Sequence, residues 1–386
     1  MEDHPLSPNL GKSVGGGEFP PVDYLEWYEP RLAAGVNHDL SQSGFHFPWD
    51  WQKLSGGKMP ENLIGSSQTD PLDPILLIAN RENVKPSQVV GGHGVSQSLL
   101  FALLSVVNPN KPRKVAVEMP SYAPVSQFSR ALGFEVLPFW RGPKNTTDCG
   151  PWKIDRESLQ SIIGDVCAVV TTPVQNPTGW MMEEDDQQWL SDICGSNNVG
   201  LVSDEVYLDT TKGTAYYRPM HKYGDHCVSV NSLTKCYGLG PLRMGWIVGS
   251  EKTAVSAFRA MQNLQGSLAI PSVRLAEMAW PFLDDVLILI EERRKQNLPR
   301  LLDVLLANGI EWIAPPTGIF GCFPLPEGVD CQRFIEDICS KHGVLATPAL
   351  MFSSRLSNMV RVAWGGEPKA FSAAMDAFHT CLQELK

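Results

Sequence analysis

The chain has 386 residues, 43% of them hydrophobic, and a net charge of −10. That length fits two or three domains and a full hydrophobic core. The acidic balance argues against a nucleic-acid or anionic-membrane surface, and no run of about 18 apolar residues is present to span a bilayer.

The nine cysteines are scattered and include no Cys-x-x-Cys pair. They read as core thiols in a reducing compartment rather than a disulfide framework. The eight histidines show no His-x-x-x-His pair, so no metal site is expected.

In chain order, residues 1–22 are acidic and rich in Gly and Pro, and read as a flexible N-terminal arm. They lack the apolar stretch of a signal peptide and the Arg bias of a transit peptide, which leaves the cytoplasm as the expected location. Residues 23–60 carry an aromatic cluster that includes Tyr24, Trp27, Phe45, Trp49 and Trp51. This segment is expected to pack on the body of the protein beside a small domain, with Ser43-Gly44-Phe45-His46 at a pocket rim.

From about 85 to 285, short apolar runs alternate with helical patterns. Strands are expected at 114–118, 134–139, 166–171, 199–203, 227–231 and 245–249. Their runs are continuous rather than alternating, as in strands covered on both faces. Helices are expected at 95–107, 121–132, 184–196, 253–262 and 272–282. This alternation predicts an α/β fold with a mostly parallel sheet between helices. The pattern over 283–308 predicts one long amphipathic helix. The division is then a large domain over 61–285 and a small α+β domain over 286–386.

Lys235 is the most informative residue. It lies in an apolar, glycine-rich stretch, with Ser232 three residues before it and Arg243 eight residues after. Burial lowers the pKa of an ammonium, and a neutral amine is a nucleophile toward carbonyls. A hydroxyl and a guanidinium suit a phosphate dianion. Together they point to pyridoxal 5'-phosphate, an aldehyde that carries a phosphate.

Other motifs fit the same ligand. Gly91-Gly92-His93-Gly94-Val95-Ser96 ends a strand and opens an apolar helix, where free N–H groups suit an anion. Tyr122 follows a strand end, where it either packs in the core or stacks on a flat ring. Asn176-Pro177-Thr178-Gly179 is either a plain turn or a means of presenting an amide to a ring oxygen. Asp204 ends an apolar strand, where it either caps a helix or pairs with a protonated pyridine nitrogen. Tyr207 stands three residues on, in reach of the ring's phenolic oxygen. Arg361, in an apolar strand, pairs with a carboxylate of the protein or of a substrate.

This order of motifs resembles the class I/II aminotransferases, the fold-type I pyridoxal-phosphate enzymes, over residues 40–380. The resemblance implies a seven-stranded, mostly parallel large-domain sheet and a homodimer. It implies that Lys235 forms the Schiff base and acts in catalysis with Asp204 and Tyr207. It implies that Asp204 holds the pyridine nitrogen, that Asn176 and Tyr207 contact the ring oxygen, and that Tyr122 stacks. Gly94, Val95, Ser96, Ser232 and Arg243 would hold the phosphate. Arg361, with Gly44 and Asn176, would bind the substrate, an α-amino acid exchanging its amine with a 2-oxo acid. Two departures mark a specialised branch. Ile64-Gly65-Ser66-Ser67-Gln68 lacks the family's tyrosine for the partner's phosphate, and His93 follows Gly92 where a Thr-x pair is usual. The run Asp39–Gly44 and the Lys235 segment are also similar to the capreomycidine synthase group. That likeness implies elimination and ring closure, and decarboxylation is a further use of the same site.

Overall fold

The structure, a computed structural model, describes residues 22–55, 57, 74–142 and 150–385. The arm expected over 1–22, except Val22, lies outside those residues, and so does the stretch 64–68.

A seven-stranded sheet forms the centre. Its strands are β1 (Val89–His93), β2 (Lys114–Met119), β3 (Glu135–Trp140), β4 (Ala168–Thr171), β5 (Gly200–Asp204), β6 (Cys227–Ser232) and β7 (Met244–Val248). Their spatial order is β1-β7-β6-β5-β4-β2-β3. All neighbouring pairs from β6 to β3 are parallel. β7 is antiparallel to both β6 and β1.

The continuous apolar runs have a simple physical basis. Val115, Val117, Val170, Val202 and Val230 face one core, with Phe101 and Leu103 of the Gly94–Val106 helix. The intervening Ala116, Val169 and Leu201 face a second core, with Leu190 and Cys194 of the Glu184–Ser196 helix. Both faces of the sheet are dry, so both phases of the two-residue repeat are apolar. Among the described residues, eight cysteines are free and buried.

The expected helices appear with shifted ends. The 121–132 pattern forms Ala123–Ala131, because Pro120 and Ser121 stay in the connection and Pro124 suits a first turn. The 253–262 pattern extends to Glu251–Leu264, since the Ser250 hydroxyl caps it by accepting from Thr253 N–H.

Another core gathers the N-terminal segment and the C-terminal part of the chain. Trp27 and Leu40 pack there with Phe323, Val360, Phe371 and Phe378. A three-stranded antiparallel sheet joins Thr347–Pro348, Met359–Ala363 and Phe320–Pro324. His38–Asp39 pairs in parallel with Val344–Leu345. The Leu283–Ala307 helix runs through two cores. Leu283, Val286 and Ile290 pack beneath the large sheet, and Leu298, Leu301 and Leu305 pack in the C-terminal core.

Candidate active site

Parallel strands end on one edge of a sheet. β2, β4, β5 and β6 are parallel, and β1 shares their direction because both β1 and β6 oppose β7. The residues after Met119, Thr171, Asp204, Ser232 and His93 therefore meet at one edge, together with Arg243 just before β7. Ligands of open α/β sheets bind at such an edge. A cavity of about 320 Å³ opens there.

Val95, Ser96, Tyr122, Asn176, Asp204, Tyr207, Lys235 and Arg243 line this cavity. Gly94, Ser232, Gly44 and Arg361 stand behind the wall. Among the described residues, no helix is long and apolar enough to cross a membrane, and no His/Cys/Asp/Glu group could hold a metal ion.

The Lys235 amine has no hydrogen-bond or ion-pair partner among the described residues. Burial lowers its pKa to about 8, and the Arg361 cation adds to the effect; Asp204 opposes it. Gly44 leans on the lysine stem. A Cβ there would sit 3.6 Å from Lys235 Cδ, and Phe45 N–H donates to the Lys235 carbonyl at 2.7 Å.

Asp204 is buried, and its Oδ1 accepts only from Val206 N–H, at 3.2 Å. It caps no helix, because the following turn starts at Leu208 with Tyr207 as its cap residue. Burial raises its pKa to about 6. A carboxylate so placed gains from a cation in the cavity. The Tyr207 hydroxyl donates to Ser43 Oγ at 2.9 Å. Asn176 Oδ1 accepts from Arg361 Nη1, which leaves its NH₂ free to donate into the cavity.

The Asn176 loop rests on a buried ion pair. Arg141 Nε meets Glu118 Oε1 at 2.9 Å. The same guanidinium donates to the Thr172 and Pro173 carbonyls, and Gln175 Nε2 donates to Glu118. Arg141, Glu118 and Gln175 carry no sequence signal apart from the placement of polar residues at strand ends.

An anion cradle lies at the start of the Gly94–Val106 helix. No side chain caps its first turn. Gly94 has φ +71°, and a Cβ there would stand 2.4 Å from Arg243 Nη2, so only glycine lets the guanidinium lie over the turn. Arg243 makes no ion pair among the described residues. Ser232 is fully buried and is not part of the cavity lining, and its Oγ accepts from Thr234 N–H at 3.2 Å. Thr234 lines the cavity, and its Oγ1 is buried without a hydrogen-bond partner among the described residues. The Ser-x-Thr-Lys spacing contained this hydroxyl, but the sequence does not reveal which of the two faces inward.

Arg361 is fully buried and has no carboxylate partner among the described residues. Its Nη2 donates to the Ser41 carbonyl at 2.6 Å, and to the Tyr24 and Thr347 hydroxyls, each at 3.1 Å. Its Nε has no hydrogen-bond partner among the described residues. The rings of Tyr24, Phe320 and Phe352 lie 5.1–5.6 Å from the guanidinium carbon and partly replace its lost hydration. Tyr24 and Ser43 come from the N-terminal segment; Ser43 lies at the cavity as the expected rim, and the aromatic content alone did not reveal the role of Tyr24.

A seven-stranded sheet of this order with such an edge cavity defines the fold-type I pyridoxal-phosphate enzymes. The model of the aminotransferase class I and II family matches residues 77–378, and the chain belongs to that family. Its cofactor is pyridoxal 5'-phosphate. The uncapped helix start, the partnerless Thr234 Oγ1 and Arg243, and the cation-seeking Asp204 fit that group. Capreomycidine synthase of Streptomyces vinaceus is 25% identical over 363 residues, 88% of each chain. Threonine-phosphate decarboxylase of Salmonella typhimurium is 29% identical over 209 residues, 53% of this chain and 54% of that enzyme. The fold matches a pyridoxal-phosphate-dependent aminotransferase of Streptococcus suis with a TM-score of 0.82 at 20% identity, covering 96% of this chain and 99% of that one.

Proposed function

We propose that the protein is an aminotransferase that moves an amino group between an α-amino acid and a 2-oxo acid. The observation that carries this reading is the meeting, at one site, of a partnerless Lys235 amine and an Arg361 with no carboxylate of its own.

Pyridoxal phosphate, when bound, supplies an aldehyde and a cationic ring that draws electrons from a bond at the substrate's Cα. Lys235 Nζ would hold the aldehyde, and once freed it would serve as the base that takes the substrate's Cα proton and carries it for return. Its lowered pKa keeps part of it neutral near pH 7. Asp204 would pair with the ring nitrogen, Asn176 and Tyr207 would donate to the ring oxygen, and Tyr122 would stack on the ring. Val95 and Ser96 N–H, Thr234 and Arg243 would hold the phosphate. Arg361 turns the substrate by its carboxylate so that the Cα–H bond faces Lys235, and Gly44 keeps room beside the lysine stem.

This reading includes a large domain over 61–285, a small domain over 286–386 and a cytoplasmic homodimer. Arg243 is exposed at the cavity mouth, and a second subunit would shield that anion site from salt. A sedimentation mass equal to one chain would remove the dimer.

The Lys235→Ala variant tests the assignment. Turnover should fall by about 10,000-fold, and the visible absorbance of lysine-bound cofactor should vanish. Full activity in that variant would end the reading. Elimination with ring closure, or decarboxylation, is the second reading, favoured by the 363-residue match to capreomycidine synthase. Incubation with a panel of amino acids separates the two. Accumulation of pyridoxamine phosphate supports transamination, and its absence with every donor supports the alternative.

A further inference from the structure

The helix Asp23–Ala33 contributes two residues to the same cavity, Tyr24 and Leu25. The Tyr24 hydroxyl accepts from Arg361 Nη2 at 3.1 Å. Its own proton has only the Ser41 carbonyl, at the long distance of 3.5 Å. That proton is thus nearly free, beside the cation that would hold a carboxylate. The phenol ring is fixed independently of its hydroxyl, being stacked on Tyr28 at 5.5 Å and packed against Phe352 at 5.7 Å. The helix is anchored by Trp27 Nε1 and Arg31 Nη2, both donating to Glu336.

Leu25 lines the cavity together with Leu99, Val125 and Phe128. The only charged side chains lining it, among the described residues, are Asp204, Lys235 and Arg243. Each already has a task in the reading above. A substrate whose side chain carried a second carboxylate or an ammonium would bury that charge against apolar groups without a partner, which is costly.

We infer that the N-terminal helix completes the substrate pocket. Tyr24 supplies a hydroxyl donor to the α-carboxylate held by Arg361, and Leu25, with Val125 and Phe128, receives a neutral, apolar side chain. The substrate class is therefore an α-amino acid with an uncharged hydrocarbon side chain. This inference rests on the amino-acid site proposed above but not on what happens after the Cα bond is activated.

The experiment uses α-methylated leucine and α-methylated aspartate, which have no Cα proton to lose. Binding to the cofactor-loaded protein is measured by calorimetry. The leucine probe should bind at least about 100-fold more tightly than the aspartate probe. Tyr24→Phe keeps the ring contacts and should weaken the leucine probe by about tenfold. Leu25→Lys should narrow the gap between the probes in favour of aspartate. Equal affinities for the two probes, or unchanged leucine-probe affinity in Tyr24→Phe, would overturn the inference. Failure to transaminate with these affinities intact would remove the aminotransferase reading and leave this one standing.

Discussion

Arg361 Nη1 donates to Asn176 Oδ1 at 2.7 Å, across 185 positions of sequence. One contact thus sets two functional groups. The arginine gains a neutral oxygen in place of a carboxylate, so its charge stays available. The amide is turned so that its NH₂ faces the cavity.

Asp204 offers a test that separates chemistry from retention. Its burial is tolerable with a cation in the cavity. Asp204→Ala is expected to lower kcat by about 100- to 1000-fold, the range for losing one preorganised charge. Cofactor affinity should fall far less, because the phosphate cradle is intact. Equal losses in kcat and in cofactor affinity, read by equilibrium dialysis, would contradict this division of labour.

Thr234 and Ser232 divide in an equally checkable way. Thr234→Ala removes the partnerless inward hydroxyl and is expected to weaken cofactor binding by about tenfold. Ser232→Ala removes a hydroxyl committed to the Thr234 N–H, so its effect should appear in thermal stability before it appears in cofactor affinity. Comparing dissociation constants and melting points of the two variants decides the matter.

The contrast between these neighbours shows where sequence reading ends. The central strands were legible because both faces of the sheet are covered there and their runs are mostly apolar. Lys235, Asp204 and Asn176 were legible because polar groups interrupt apolar runs at strand ends. Side-chain direction within Ser232–Lys235 was not, since a loop has no fixed period. The sequence placed Ser43 at a pocket rim and Tyr24 in an aromatic cluster, but their hydrogen-bond partners were not legible. Their roles depend on contacts with residues more than 150 positions away, such as Tyr24 with Arg361 and Ser43 with Tyr207.

Ser43 gives a spectroscopic prediction. Tyr207 has one hydroxyl proton and spends it on Ser43. When that proton turns to a ring oxygen, Ser43 can donate in return and make Tyr207 a stronger donor. Such donation spreads charge from the oxygen and weakens its hold on the nearby proton. In Ser43→Ala the pH midpoint of the lysine-bound cofactor's colour change is expected to rise by about 0.5–1 unit. A midpoint that stays fixed or falls would argue against the relay.

Glu205 gives a prediction for stability. It is buried beside Asp204, accepts from Met220 N–H at 2.7 Å and Ser229 Oγ at 2.8 Å, and its pKa is pushed by burial from 4.5 up to about 8. Between those values the unfolded chain releases a proton that the folded chain keeps. Stability contributed by this group is therefore present at pH 4.5 and declines as pH rises toward 8. Glu205→Gln keeps an acceptor oxygen and abolishes the titration. Its melting point should match the parent near pH 5 and exceed it by several degrees at pH 8. An identical pH profile in scanning calorimetry would refute the assignment.

The pairing of His38–Asp39 with Val344–Leu345 carries a consequence for how the protein is made. On the ribosome the helix Asp23–Ala33 and the strand His38–Asp39 emerge long before their partners at Val344–Leu345. Trp27 and Leu40 bury against side chains as late as Phe378 and Leu382. Contacts that close so long a loop form late in folding. The seven-stranded sheet has all its strands by Val248, so Lys235 and Asp204 are in place while the opening segment still waits. The earlier segment thus docks late, and the pocket closes only after Val344–Leu345 has left the ribosome.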